Sequence, residues 1–231
     1  MLTLEDVTVT QGTFTLAAGF TLPALARLAL IGPSGGGKST LLLAIAGFLP
    51  LTSGRILWNG QDLARLAPGD RPLTLLFQDQ NLFPHLTVFQ NIGLGLDPRL
   101  KLSPAQIRQI ETTLDRVGLA GLGARRPGAL SGGQQARVAL ARALLRARPM
   151  LLLDEPFAAL GPALKSEMLH LVAEVASEAA ATVIMVTHDP ADAKGFASLA
   201  SLVAGGTAHP PQPTHELFSN PPPALADYLG R

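Results

Sequence analysis

The stretch GPSGGGKST, residues 32–40, places a lysine and a hydroxyl group directly after a run of glycines. It satisfies the pattern G-x-x-x-x-G-K-[ST] between a predicted strand at 26–32 and a helix that begins near Lys38. Glycines let consecutive backbone N–H groups curl around phosphates, and the helix N-terminus adds about half a positive charge. The spacing therefore predicts a phosphate-binding loop (P-loop), in which Lys38 contacts the β- and γ-phosphates of a nucleotide and Ser39 binds Mg²⁺. The predicted contacts are Gly32, Pro33, Ser34, Gly35, Gly36, Gly37, Lys38, Ser39 and Thr40.

Two acidic residues end the apolar stretch MLLLDE, 150–155. On its own this pattern indicates only a buried strand that reaches its turn. Parallel strands, however, present polar residues at their carboxyl ends, where a P-loop also lies. Adjacent residues on a strand point in opposite directions, so Asp154 and Glu155 are expected to have separate tasks. We expect Asp154 to reach the hydration shell of the metal and Glu155 to activate or position the attacking water.

Gln78 and His188 occupy similar places, at the ends of the predicted strands 72–78 and 182–188. Either residue alone is more often an ordinary polar residue at a strand end. Together with the two acids they give four polar groups at the carboxyl ends of strands, and those ends converge on one crevice. The pattern favours a catalytic site beside the P-loop.

A second glycine-rich stretch, ALSGGQQARVAL at 129–140, lacks the lysine of a complete P-loop. It leads into a predicted helix at 132–147, so Ser131, Gly132 and Gly133 could offer backbone N–H groups, a hydroxyl group and a helix N-terminus to an anion. One nucleotide needs only one complete P-loop. The residues by themselves leave the partner of this second loop open.

The composition is that of a globular chain of 231 residues, with 47% hydrophobic and 15% charged residues. The net charge of +1 argues against a nucleic-acid-binding protein with a broad basic face. The absence of cysteine excludes disulfides, zinc–thiolate sites and thiol catalysis. The mean hydropathy of +0.29 suggests that some apolar surface meets a partner. The longest apolar run, 41–51, is too short to cross a bilayer, and the N-terminus lacks a signal-peptide pattern, so a role at a membrane requires another anchor.

Short apolar strands alternate with predicted helices along most of the chain. This order indicates an α/β protein with a mainly parallel sheet that helices cover on both faces. Before the P-loop, the alternating stretches 2–10 and 13–22 predict an antiparallel hairpin. The whole chain is predicted to form one domain, 1–231.

Two segments depart from the alternation of strands and helices. Residues 79–130 have helical character, and Ser103 and Gln106 form a capping box at the start of their clearest helix. This segment predicts a helical subdomain inserted into the core. The proline-rich tail, 207–231, is predicted to lie loosely over the surface.

In chain order, the motifs GPSGGGKST, LFQ, LSGGQ, LLLDEP and VTH resemble those of the ATP-binding-cassette (ABC) ATPases, over essentially the whole chain. LSGGQ is the most specific of them, because ordinary P-loop proteins lack it. The resemblance implies a P-loop NTPase core with a small N-terminal antiparallel β subdomain and an inserted helical subdomain. It also implies that two copies pair head to tail, each lending its LSGGQ loop to the ATP in the other copy's P-loop. The P-loop then supplies the main cation, which accounts for the missing lysine. The residues lent in this way would be Ser131, Gly132, Gly133 and Gln134.

The same resemblance assigns a role to each polar residue near the P-loop. Asp154 would assist the metal, and Gln78 would sense Mg²⁺ and the membrane partner. Glu155 would act on the attacking water, and His188 would contact the γ-phosphate. The cofactors implied are ATP and Mg²⁺.

The resemblance also implies the partners of the chain. In related importers the region matching NLFPHLTVFQNIGLGL, 81–96, docks on a membrane permease, although such residues also serve as ordinary subdomain core. The expected partners are a second copy of the chain, an integral membrane permease and, indirectly, a periplasmic substrate-binding protein, with no nucleic acid. The expected location is the cytoplasmic face of the inner membrane.

Several classes of ABC ATPase compete for this sequence. A chromosome-maintenance ATPase needs a long coiled coil between P-loop and signature, and the separation of Lys38 and Ser131 leaves no room for one. A translation-type member usually carries two cassettes in one chain, and this sequence has one. Importer ATPases for polyamines, ferric iron, sulfate or maltose commonly continue into a C-terminal regulatory domain, whereas this sequence ends at Arg231. Its short form and the stretches 77–106 and 151–164 resemble ATPase subunits of thiamine importers. Other small-solute importers and a non-transport ABC ATPase stay as alternatives.

Two positions depart from the family pattern. An aromatic residue that stacks on adenine is usual before the P-loop, but Gln11 stands at that place and Phe14 is the nearest aromatic residue. By the scale of base stacking the loss is ~1–3 kcal/mol, so weaker nucleotide binding is expected.

Gly161 replaces the aspartate of the S-A-L-D turn, whose carboxylate bridges the two cassettes. We therefore expect hydrolysis with weakened coupling between the two sites.

Overall fold

The computed structural model describes residues 1–79 and 81–230. Gln80 and Arg231, which fall in the predicted ranges 79–130 and 207–231, lie outside the described residues. The strands are β1 (Leu2–Gln11), β2 (Phe14–Leu22), β3 (Arg27–Ile31), β4 (Ser53–Trp58), β5 (Gln61–Asp62), β6 (Thr74–Leu76), β7 (Met150–Asp154), β8 (Thr182–Val186), β9 (Leu199–Ala204), β10 (Thr207–Ala208) and β11 (Gln212–Pro213). The helices are α1 (Lys38–Ala46), α2 (Val88–Gly93), α3 (Pro104–Arg116), α4 (Gly132–Arg146), α5 (Pro162–Glu178), α6 (Pro190–Phe196), α7 (Thr214–Ser219) and α8 (Pro223–Tyr228).

The central part of the sheet has the strand order β9-β3-β8-β7-β6, and every neighbouring pair in it is parallel. These strands are almost wholly apolar because helices cover both faces. Leu28 and Leu30 of β3 belong to an apolar cluster that contains α1, whereas Ala29 and Ile31 belong to a second cluster that contains α4, α5 and α6. The predicted α/β fold with a mainly parallel sheet is confirmed.

The N-terminal part of the sheet is antiparallel. β1 and β2 form the predicted hairpin, and Gly12 in its two-residue turn has a φ of +58°. β4 pairs antiparallel with the other edge of β1, and β5 follows β4. The short strand β10 joins the two parts, since it pairs with β2 on one side and with β9 on the other.

Helices α2, α3 and α4 enclose a third apolar cluster, separate from the two clusters on the sheet. The capping box at the start of α3 is present as predicted, because Ser103 Oγ accepts from Gln106 N and Gln106 Oε1 accepts from Ser103 N. None of the helices formed by the described residues combines the length and the apolar character of a membrane span.

Two ion pairs tie this helical region to α5. The Arg116 guanidinium donates to both carboxylate oxygens of Glu178, at 2.5 and 2.7 Å. Arg137 of α4 donates to Glu167 at 2.7 Å and to the Val117 carbonyl oxygen at 2.9 Å. The start of α4, which carries the signature residues, is therefore linked to α5 as well as to its own cluster.

The C-terminal segment differs from the loosely attached tail that its prolines predicted. It forms α7 and α8, and Leu217, Phe218 and Leu225 are buried in the second cluster. The prediction was wrong because it rested on the proline content of the segment, whereas its apolar side chains bind the segment to the core. Pro223 lies in the first turn of α8, where its missing N–H costs nothing.

Candidate active site

The P-loop between β3 and α1 packs against β9. A Cβ atom on Gly32 would lie 2.3 Å from the carbonyl oxygen of Val203, and one on Gly36 would lie 2.5 Å from the same atom. Gly32 also has a φ of +146°. Both positions require glycine for steric reasons, so the loop keeps its curvature against the sheet.

Lys38 lies under the P-loop and is only 6% exposed. Its Nζ donates hydrogen bonds of 2.8 Å to the carbonyl oxygens of Gly32 and Pro33. Burial lowers the pKa of Lys38, and the nearby Glu155 and Asp154 oppose this shift. An ammonium group has three donors, and within the described residues Lys38 uses two of them, which leaves one for an anion.

Ser39 and Asp154 connect the start of α1 to the end of β7. Ser39 Oγ donates a hydrogen bond of 2.9 Å to Asp154 Oδ1. Burial raises the pKa of Asp154, and the bond from Ser39 opposes the shift. Hydroxyl and carboxylate oxygens are the ligands that Mg²⁺ prefers. No side chain of the described residues caps the first N–H groups of α1. These groups suit a phosphate, so the residues present fit a magnesium-bound nucleotide.

Glu155 lies just beyond β7 and has a φ of +46°. Its Oε2 lies 3.0 Å from His188 Nδ1, whereas Asp154 bonds to Ser39. The two acids therefore have different partners, as expected, but the predicted reason was wrong. Because Glu155 is outside the strand, a left-handed backbone turn separates the two side chains, and such a turn costs energy in a residue other than glycine.

Gln78 and His188 lie two residues beyond the strands that were predicted to end at them. β6 ends at Leu76 and β8 ends at Val186, because pairing with β7 stops there. Loops therefore position both side chains. His188 meets Glu155, but no hydrogen bond among the described residues joins Gln78 to that pair.

The loop that carries His188 is anchored on both sides. Thr187 N donates to the carbonyl oxygen of Leu30 at 3.2 Å, and Asp189 N donates to Thr187 Oγ1 at 3.0 Å. Lys165 of α5 donates to Asp189 at 2.9 Å, and this bond lowers the pKa of Asp189. Sequence reasoning missed Lys165, because only the packing of α5 against α6 brings it to this loop.

The signature residues form the start of α4. Ser131 is its N-cap: Ser131 Oγ accepts from Gln134 N at 3.3 Å, and Gln134 Oε1 accepts from Ser131 N at 3.0 Å. Gly133 is buried, and a Cβ atom there would lie 2.3 Å from Leu164 Cδ2 of α5. Ser131 and Gly132 are exposed. No hydrogen bond among the described residues joins this loop to the P-loop of the same chain.

Phe14 lies beside the last glycine of the P-loop. A Cβ atom on Gly37 would lie 3.0 Å from Phe14 Cζ and 2.8 Å from Leu16 Cδ1. The Phe14 side chain is half-buried, and Gln11 is exposed at the end of β1. The structure therefore places an aromatic ring at the P-loop, although three residues after the position where the pattern expects it.

The P-loop on a parallel sheet, the acid pair at the end of β7 and the serine–glycine start of α4 define a nucleotide-hydrolysing cassette. Residues 17–158 match the family described as ABC transporter. The chain belongs to this family, as one of its ATPases.

Within this family, the chain is similar to three proteins in sequence and to one solved structure in fold. The Thiamine import ATP-binding protein ThiQ of Cereibacter sphaeroides is 64% identical over 230 residues, with 100% of both chains covered. The protein of the same name from Ruegeria sp. is 57% identical, with 100% of both chains covered. The one from Shigella flexneri is 46% identical, with 98% of this chain and 97% of the relative covered. The chain also resembles the dimeric, post-hydrolysis structure of the ATP-binding cassette MJ0796 bound to ADP and Pi, with a TM-score of 0.80 and 27% identity over 93% of this chain and 99% of that one.

Proposed function

We propose that the chain is the ATP-hydrolysing subunit of a bacterial ABC importer and that the imported solute is thiamine. The observation that carries the proposal is the 64% identity, over both full lengths, to a thiamine import ATP-binding protein. In such importers the permease and the binding protein contact the solute, so the solute is assigned from relatives and not from this site.

Nucleotide binding follows from the groups around the P-loop. Lys38 and the uncapped N–H groups of α1 bind the β- and γ-phosphates. Ser39, Asp154 and Gln78 hold Mg²⁺, which neutralises charge on the phosphate oxygens when it is bound. The position of the Phe14 ring beside the P-loop supports stacking on the adenine.

Hydrolysis depends on the pair formed by Glu155 and His188. Glu155 orients the attacking water or accepts its proton, and His188 holds the γ-phosphate. The 3.0 Å contact between their side chains keeps both groups at one place. A shift of either side chain would therefore disturb both the activation of water by Glu155 and the binding of the γ-phosphate by His188.

A second copy of the chain completes the site. The exposed Ser131 and Gly132, with Gly133 and Gln134, form the N-terminus of a 15-residue helix and suit a phosphate held by another chain's P-loop. The dimeric state of the solved cassette supports this arrangement. ATP then joins the two copies, and its hydrolysis releases them.

The permease docks on the segment 81–96. Phe83 in this segment is 45% exposed, and its ring meets His85 edge-on at 6.0 Å. Asn91 is fully buried and bonds to both the N–H and the carbonyl oxygen of Phe83, so the exposed ring has a rigid base. The chain then lies at the cytoplasmic face of the inner membrane, with the periplasmic binding protein as an indirect partner.

The test is solute uptake by proteoliposomes that contain this chain, its permease and the binding protein, with ATP on the side of this chain. Labelled thiamine should accumulate, and polyamine or sulfate should not. A matched complex with Lys38→Ala should take up nothing. Uptake of another solute but not thiamine would overturn the solute, and uptake by the Lys38→Ala complex would overturn the ATPase role.

A further inference from the structure

Tyr228, the one tyrosine of the sequence, contacts the loop that carries His188. Its hydroxyl group donates a hydrogen bond to the backbone carbonyl oxygen of His188. Tyr228 ends α8, and 40 residues separate the two partners along the chain. The contact thus connects the C-terminal helix to the candidate active site.

We propose that Tyr228 is a positioning residue for ATP hydrolysis. Its hydroxyl group holds the backbone of His188, and thereby the pair of His188 and Glu155, in the geometry that hydrolysis requires. This inference rests on the proposed roles of His188 and Glu155.

The surroundings of His188 explain why a backbone anchor matters. The His188 side chain is 54% exposed, so packing contributes little to its position. Thr187 is fixed by the carbonyl oxygen of Leu30, and Asp189 is fixed by Lys165. The hydroxyl group of Tyr228 anchors the residue between them. Loss of this bond leaves the central residue of the loop free to move while both ends stay in place.

Helix α8 is itself held firmly enough to act as a support. Leu225 is fully buried in the second cluster, and Tyr228 and Leu229 pack against that cluster. Pro222 and Pro223 restrict the backbone where the helix begins. Burial, with Glu155 and Asp189 nearby, raises the pKa of Tyr228, so its hydroxyl group remains a donor at neutral pH.

The first test compares ATP hydrolysis by Tyr228→Phe and the unchanged chain. The substitution removes the hydroxyl group and keeps the ring. We expect kcat to fall about three- to tenfold, as for the loss of one hydrogen bond, with the KM for ATP unchanged because the P-loop is untouched. Leu217→Val, which removes one methylene group from the same cluster, is the control for stability: it should lower the thermal midpoint and leave kcat unchanged. An unchanged kcat in Tyr228→Phe, or an equal loss in Leu217→Val, overturns the inference.

The second test uses His188→Ala to separate this inference from the proposed function. If His188→Ala loses activity and Tyr228→Phe does not, only the role of Tyr228 fails. If His188→Ala retains full activity, the proposed role of His188 fails first. In the double variant, measured by single-turnover hydrolysis over long times, Tyr228→Phe should cause no further loss. A further loss of the same factor would mean that Tyr228 acts elsewhere, and it would overturn the inference.

Discussion

Ser39 Oγ and Asp154 Oδ1 are 2.9 Å apart and form a hydrogen bond between residues separated by 115 positions. The bond joins the first turn after the P-loop to the carboxyl end of β7. Both groups are among the proposed ligands of Mg²⁺, together with Gln78, so metal binding must compete with a contact that the folded chain already makes. A substitution at either residue is therefore expected to change both the stability of the fold and the binding of the metal.

Asp154→Asn should make the chain without nucleotide more stable at neutral pH while abolishing magnesium-dependent hydrolysis. Burial raises the pKa of Asp154 in the folded state, so the folded state binds this proton more tightly than the unfolded state does. Ionisation of Asp154 therefore lowers the free energy of unfolding as pH rises through the raised pKa. The gain from Asp154→Asn should vanish below the ordinary carboxyl pKa of 3.8.

Asp189→Asn is the matched control, because the bond from Lys165 lowers the pKa of Asp189. This carboxylate stabilises the fold above its ordinary pKa, and the contribution is lost as pH falls through the lowered value. At neutral pH, Asp154→Asn should raise the free energy of unfolding and Asp189→Asn should lower it. Urea unfolding at neutral and acidic pH measures both changes. The same sign for both would contradict this account of burial and pairing.

Glu155→Gln should trap a dimer that holds two ATP molecules. Glutamine keeps the size of the side chain but cannot accept the proton of the attacking water, so the nucleotide that joins the two copies persists. Light scattering after chromatography with ATP and Mg²⁺ gives the mass, and nucleotide extraction gives the ratio. Glu155→Gln combined with Lys38→Ala should stay monomeric. A single variant that also stays monomeric would refute the shared site.

Gly161→Asp should stabilise α5 and strengthen the coupling between the two nucleotide sites. Gly161 is the N-cap of α5 and has a φ of −65°, and a Cβ atom there would lie within 4 Å of no atom in the described part of the chain. An aspartate adds a cap and a favourable charge at the helix N-terminus, which together contribute about 0.5–1 kcal/mol. Thermal unfolding measures the stability, and the dependence of turnover on ATP concentration measures the coupling.

Gly161→Ala controls for the added Cβ atom at this position. It should not change the coupling, because it brings no carboxylate. If Gly161→Asp leaves turnover and its dependence on ATP concentration unchanged, the expected role of this position is wrong.

Phe14→Ala should weaken ATP binding, and Gln11→Tyr should strengthen it. The Phe14 ring lies beside Gly37, so its removal takes away the aromatic surface at the P-loop. By the scale of base stacking, the loss is about 1–3 kcal/mol. Gln11 is exposed at the end of β1, the position where the family pattern predicts a ring. Fluorescence titration with ATP and with triphosphate alone gives both affinities, and a loss that is equal for the two ligands would contradict stacking.

Local patterns predicted the P-loop, the hairpin and the capping box of α3. Each depends on residues within a few positions of one another, as in the hydrogen bonds between Ser103 and Gln106. Strand ends were predicted less well at Gln78 and His188, because pairing with a neighbouring strand decides where a strand stops. The tail was mispredicted for a similar reason, since the burial of Leu217 and Leu225 depends on a surface formed by other segments.

The sequence by itself determined the chemistry available to this protein: a cation and a hydroxyl group after a glycine loop, an acid pair after an apolar strand, and a capped second loop without a cation. The tertiary structure decided which of these groups act together. In the folded chain, Asp154 is hydrogen-bonded to Ser39, Glu155 to the side chain of His188, and Tyr228 to the backbone of His188. These contacts join residues from 33 to 115 positions apart, and no local pattern encodes them, because they exist only when helices and strands pack around a common core.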